Sequence, residues 1–224
     1  MLQIGLLLFP RVQQLDLTGP YEVFAALPGA QMHLVARDAA PVTAMTGLVL
    51  SPTTTYAACP QLDIICVPGG GGVNALLQDD ATLGFVRRQA AAARYVTSVC
   101  TGALVLGAAG LLRGRRATTH WSTLDLLAAL GAIPSGGRVV RDGNVVTGGG
   151  VTAGIDFALT LAAEIAGEEV AQTIQLGLEY APAPPFDAGT PDRAPPAVLA
   201  AARARGAAMR AEREALVAAI AAEA

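Results

Sequence analysis

The 224-residue chain contains no lysine, and all fifteen of its basic residues are arginines. That absence excludes in one step the lysine of a Walker-type phosphate loop, a Schiff-base lysine and a lysine general base. Histidine is scarce, with only His33 and His120. Beside three scattered cysteines, two histidines cannot assemble a zinc-binding spacing. No apolar run reaches the roughly 18 to 20 residues that span a bilayer. The stretch Met1-Leu2-Gln3-Ile4-Gly5-Leu6-Leu7-Leu8-Phe9-Pro10 lacks the positive leader and small-residue cleavage site of a signal peptide, so it reads as a buried first strand. An odd cysteine count without such a signal points to reduced thiols in the cytoplasm. A net charge of −3 and a pI near 5.3 offer no basic surface for nucleic acid.

What is present is apolar. With 53% hydrophobic residues, the chain can bury a substantial core as one α/β domain, or as one domain with an appendage. Short apolar strands alternate with helical patterns, the signature of a parallel sheet covered on both faces. Strands are predicted over Gln3 to Phe9, Met32 to Ala36, Ile64 to Val67, Tyr95 to Val99 and Ala117 to Thr119. Helices are predicted to begin near Gly19, Ala81, Thr101 and Ser122, and to cover Thr152 to Ile165 and Glu168 to Leu178. Two β-branched runs around Asp142-Gly143-Asn144 predict a hairpin. A domain over 1–180 therefore precedes a proline-rich linker over 181–194 and an alanine-rich helical arm over 195–224. Mixed charges on the arm read as a solvated face or an oligomer contact.

The segment most suggestive of chemistry is Val96-Thr97-Ser98-Val99-Cys100-Thr101-Gly102-Ala103-Leu104-Val105-Leu106, where a β-branched run ends at a cysteine and a small-residue helix follows. A thiol at such a strand-to-helix turn stands among unpartnered helix N–H groups, and the expectation is that it ionises more easily than an ordinary one. Cys66, inside an apolar strand, reads as packing, and Cys59, beside Pro60, as incidental. Pro68-Gly69-Gly70-Gly71-Gly72 follows the third strand without the lysine of a phosphate loop. It reads as an oxyanion-binding strand end, with Gly70 and Thr101 N–H as donors and Gly71 beside the substrate. Asp16, in Leu15-Asp16-Leu17-Thr18-Gly19-Pro20, has two readings. It caps the helix near Gly19, or it is a desolvated carboxyl able to relay a proton to the thiol. His120 and Trp121 end a strand on the same sheet edge and are candidate pocket residues, whereas His33 reads as structural.

An acid after the first strand, a glycine loop after the third and a cysteine elbow together resemble the ThiJ/PfpI superfamily. Phe9-Pro10, the Asp16 motif, Ser98-Val99-Cys100-Thr101-Gly102, Ala117-Thr118-Thr119-His120-Trp121, Gly148-Gly149-Gly150 and Leu178-Glu179-Tyr180-Ala181-Pro182-Ala183-Pro184-Pro185-Phe186 are similar to its isonitrile hydratase branch. The resemblance implies a flavodoxin-like three-layer sandwich, related to class I glutamine amidotransferase domains, with a mostly parallel sheet and a C-terminal helical extension. It also implies a homodimer and no metal or organic cofactor. The implied chemistry is hydration of a small apolar isonitrile to a formamide, with Cys100 as nucleophile, Asp16 moving protons and Thr101 assisting. Protease-like members carry histidine directly after the cysteine, where this chain has Thr101, and protease-like and deglycase-like members usually have glutamate at the position of Asp16. Two alternatives share the elbow. One is a ligand-sensing regulator like the amidase-like domains of arabinose-type activators, which adds a DNA-binding region of roughly 100 residues. The other is a cysteine-based redox or stress protein.

Overall fold

The apolar runs lie side by side in the computed structural model, which describes residues 1–223. In chain order the elements are β1 (Leu2–Leu7), α1 (Gln14–Ala25), β2 (Ala30–Ala36), β3 (Val42–Thr43), β4 (Val49–Leu50), β5 (Thr54–Thr55) and β6 (Ile64–Val67). There follow α2 (Val73–Leu76), α3 (Asp80–Ala90), β7 (Tyr95–Val99), α4 (Gly102–Ala108) and β8 (Arg116–Ala117). After a 3-10 turn (Trp121–Thr123) come α5 (Leu126–Ala129), β9 (Ile133–Pro134), β10 (Val139–Asp142), β11 (Val145–Gly148), α6 (Ala153–Ala166), α7 (Glu168–Gly177) and α8 (Pro196–Ala222).

Seven strands form the main sheet in the order β10-β11-β7-β6-β1-β2-β5. All neighbours are parallel except the β10–β11 hairpin. β6 and β7 are buried along their whole length, which explains why their sequences are continuous apolar or small rather than alternating. The step from β1 to β2 and the step from β6 to β7 run in opposite directions across the sheet. Right-handed crossovers therefore send α1 and α3 to opposite faces. α1 packs on α6, which packs on α7, while α4 packs against α2, α3 and α5. Phe24 of α1 meets Phe157 of α6 edge to face at 5.7 Å, closing the first of these layers. This is the three-layer α/β sandwich that the sequence implied.

The strand order reverses between β1 and β6, so the loops leaving their carboxyl ends diverge and open a crevice. The segments after β1, β6 and β7 meet there. Val12 bridges Gly70, and the Gln13 N–H donates to the Gly69 carbonyl at 2.9 Å.

Several predicted boundaries move. The helix expected near Gly19 begins at Gln14, so Asp16 sits inside its first turn, and the N-cap, Gln13, makes no side-chain capping bond. The strand expected over Ala117 to Thr119 is only β8, which pairs with β9 outside the main sheet. Its continuation is tied to the sheet by the Thr118 N–H, which donates to Thr147 Oγ1 at 2.9 Å. Instead of a helix starting at Ser122, the 3-10 turn and the one-turn α5 follow. β3, β4 and β5 have two residues each, too few to show a period. The prolines beyond Tyr180 leave 181–195 irregular, and α8 then starts with Pro196 in its first turn. That helix lies back across α2, α5 and the 3-10 turn.

Gly102 shows how tightly α4 is set against β6: a Cβ there would lie 1.9 Å from the Val67 carbonyl oxygen. Backbone cannot yield as a side-chain tip can, so Gly102→Ala should cost at least about 3 kcal/mol or prevent folding. Chemical denaturation of the variant beside the wild-type protein measures the loss.

Candidate active site

Cys100 follows the last residue of β7 and adopts φ 54°, a left-handed conformation that is uncommon for a residue with a side chain. Hydrogen bonds hold it there. Its N–H is shared between the carbonyls of Gly148 (3.1 Å) and Gly149 (2.8 Å), and its own carbonyl accepts from Thr119 Oγ1 at 2.7 Å. The sharp turn places the side chain at the crevice between the strand ends, where it is 6% exposed.

Asp16 is fully buried. Its Oδ2 accepts the Gly69 N–H at 2.9 Å, so α1 presents the carboxyl to the strand end of β6 rather than capping its own helix. A Cβ on residue 69 would come within 2.7 Å of both Asp16 Oδ2 and Thr101 Oγ1, so glycine is what allows the three segments to close. Asp16 Oδ1 is buried with no hydrogen-bond partner among the described residues, and the carboxyl lies near enough to the Cys100 thiol that each shifts the other's ionisation. Burial, opposed by the hydrogen bonds from Gly69 and Cys100, pushes the carboxyl up to about 7.

The thiol does not ionise easily. Burial and then the charge of Asp16 hold it well above the ordinary cysteine value, outweighing the Thr101 N–H and hydroxyl that favour the thiolate. The expectation drawn from the helix start is thus corrected, because desolvation and a neighbouring carboxylate exceed what a few N–H groups supply. The other cysteines are simply buried to different degrees, Cys66 pushed up to about 12 and Cys59 to about 11.

Thr101 N–H approaches the sulfur, while the Gly70 N–H donates to Thr101 Oγ1 at 3.1 Å and the Gly71 N–H to Met45 Sδ at 2.9 Å. Of the two expected donors, only the Thr101 N–H is directed at the thiol, while the Gly70 N–H is taken by Thr101 Oγ1. His120 lines the pocket, and its Nδ1 bonds Ser122 Oγ at 2.8 Å. Burial and the charge of Arg213 hold the ring below its usual value, so it stays neutral. Trp121 lines the pocket beside it. His33 lies on β2 and bonds Gln3, away from the site. Among the described residues no cluster of three His, Cys, Asp or Glu side chains is placed to hold a metal.

The pocket above Cys100 has a volume of about 1080 Å³. Met45, Trp121 and Val151 give it apolar walls, but Arg203, Arg205, Arg210 and Arg213 of α8 line it too. An uncharged pocket would suit the small apolar substrate that the resemblance implied, and the arginines brought in by the folding back of α8 depart from it.

A family model described as the DJ-1/PfpI family matches residues 3–164. The chain belongs to the DJ-1/PfpI family. It is 69% identical to "Isonitrile hydratase" of Pseudomonas putida over 206 residues, covering 92% of this chain and 90% of that protein. It is 30% identical to the "HTH-type transcriptional regulator GbdR" of Pseudomonas aeruginosa over 182 residues, which span 76% of this chain and 48% of the regulator. A crystal structure of a ThiJ/PfpI family protein from Pseudomonas syringae superposes with a TM-score of 0.94 at 46% identity, covering 96% of this chain and 90% of that one.

The DJ-1/PfpI match ends within α6, so α8 and its arginines lie outside the family domain as matched. Arg213 is the consequential omission from the sequence reading: it is 4% exposed, on the same face of α8 as buried Val217. Met209, Arg213 and Val217 recur every four residues, the signal of one helix face turned inward, and the mixed charges around them obscured it. One face of the arm is therefore packed on its own domain rather than solvated.

The buried carboxyl has a cost that depends on pH. Between about pH 4 and 7 the folded state keeps an Asp16 proton that the unfolded chain has lost, so this group's contribution to stability falls as pH rises through that window. Asp16→Asn removes the dependence. Relative to the wild-type protein it should gain a few kcal/mol at pH 8 and little at pH 4, as read by denaturant midpoints at the two values.

Proposed function

We propose that the chain hydrates isonitriles to N-substituted formamides. The observation that carries this reading is a thiol beside a buried carboxyl that shifts its ionisation, in a chain 69% identical over nearly its whole length to a protein named for that activity. Asp16, pushed up to about 7, can release or hold a proton at neutral pH, as a relay must. Its carboxylate takes the Cys100 proton as sulfur bonds to the terminal carbon of R–N≡C. The same proton then passes from Asp16 to that carbon, giving the thioimidate R–N=CH–S–Cys100. Water adds to the C=N bond, its oxygen bonding the carbon while one of its protons passes through Asp16 to the nitrogen. Collapse of R–NH–CH(OH)–S–Cys100 breaks the C–S bond, releases R–NH–CHO and returns a proton to sulfur. The Thr101 N–H is placed to steady charge on the sulfur, and its hydroxyl to orient the sulfur or the water. No step requires a cofactor.

A redox-sensor role fits the site less well, because sensor thiols are exposed and easily ionised, whereas Cys100 is buried and held protonated. Homodimer formation belongs to the same proposal. Its support is the exposed apolar side chains Leu176, Leu178 and Phe186 at the end of α7 and in the irregular segment. Sedimentation at micromolar concentration should give twice the chain mass, and a monomer there removes it. Cytoplasmic residence is proposed with it, and no helix among the described residues is long and apolar enough to cross a membrane.

Cys100→Ala should abolish formamide formation. Asp16→Asn should fold yet lose roughly 10² to 10⁴-fold in rate, with a substrate adduct on Cys100 visible by intact mass. For the wild-type enzyme, kcat/KM should rise with pH and level off above about 7 as Asp16 ionises. Rates of formamide appearance across several isonitriles test all three, and normal turnover by Asp16→Asn removes the relay.

A further inference from the structure

Arg213 is a buried cation without a carboxylate. Its Nε donates to Asn74 Oδ1 at 2.8 Å, and its Nη2 lies 3.4 Å from the Gly70 carbonyl oxygen, while Nη1 has no partner among the described residues. The acids around it are engaged elsewhere. Asp125 and Glu214 both pair with Arg210, at 2.7 and 2.6 Å. Glu212 accepts from Asn74 Nδ2 at 2.9 Å, so its charge reaches Arg213 only through space and across that amide, without a direct hydrogen bond. Asp16 faces Gly69 and the thiol. The neighbouring His120 is neutral, and the thiol is held protonated by burial and by Asp16, so neither provides a standing counter-charge. A guanidinium with most of its surface withdrawn from water, and only its free Nη1 open to the pocket, is expensive to hold unless something pairs with it.

The guanidinium faces the cavity that also contains Cys100, and Arg203 and Arg205 stand exposed on its rim. We propose that Arg213 forms a carboxylate subsite of the Cys100 pocket. On the hydratase reading above, the preferred isonitriles then carry a carboxylate on the substituent attached to nitrogen. The planar fork of an arginine suits that group, and the arginines on the rim draw an anion inward. The apolar walls receive the carbon skeleton between the two ends.

The test compares isocyanoacetate with its methyl ester, and iodoacetate with iodoacetamide, each pair differing in the anionic group. Wild-type kcat/KM should favour isocyanoacetate by about tenfold or more, the range of a hydrogen bond to a charged group. The iodoacetate-to-iodoacetamide rate ratio at Cys100, read by peptide mass, should exceed that of free cysteine by a similar factor. Arg213→Gln should erase both preferences, and Arg213→Lys, which keeps the charge and the stem, should retain part of each. If Arg213→Gln does not fold, the wild-type and Arg213→Lys measurements still decide. Hydration of acid and ester at equal kcat/KM leaves the hydratase reading standing and overturns the subsite. Absence of hydration with the alkylation preference intact does the reverse. Equal slowing of both alkylating reagents in Arg213→Gln assigns the residue to the thiol alone and also overturns the subsite.

Discussion

Cys100 is held in a left-handed conformation by hydrogen bonds that arrive from two separate parts of the chain, and the site has its shape only while both are made. Such a conformation costs on the order of 1 to 3 kcal/mol for a residue with a side chain. The carbonyls of Gly148 and Gly149 come from the end of β11, so the pairing of β11 with β7 positions the acceptors that hold the elbow. Thr119 comes from the segment after β8, which is itself tied to β11 through Thr118 and Thr147. The sheet edge formed by the hairpin is therefore part of the site's support, although none of its residues lines the pocket.

That geometry leads to the electrostatics. A thiol turned into a crevice loses water, and the neighbouring charge that raises it further is that of Asp16, itself buried. On the proposed mechanism these two neighbouring groups, both resisting ionisation, are the pair between which the proton passes. The cost in folding stability is local and is borne by a large apolar core around β1, β6 and β7. α8 adds a charge of the opposite sign through Arg213, placed at the pocket rather than against the carboxyl.

Much of this was legible in the chain itself. The strand-turn-helix pattern around Cys100 and the glycines after β6 report local backbone requirements, and local requirements leave local signatures. Asp16 was found but its capping role was not sustained, because α1 starts at Gln14 behind a residue that caps nothing and so announces no boundary. The protonation of Cys100 was misread, since burial depends on which distant segments close over the thiol. Nothing near residue 100 records that. Arg213 was legible only by weighing the four-residue recurrence of Met209, Arg213 and Val217 above the surrounding charge.

The central claim is that Asp16 keeps the Cys100 proton in place until substrate arrives. The most direct measurement is the pH dependence of Cys100 alkylation in the wild-type protein and in Asp16→Asn, followed by peptide mass. Removing the carboxylate charge should let the thiol ionise more easily, lowering the midpoint of the alkylation profile by at least about one pH unit. An unchanged or higher midpoint in Asp16→Asn would contradict the account, because burial alone would then set the state of the thiol.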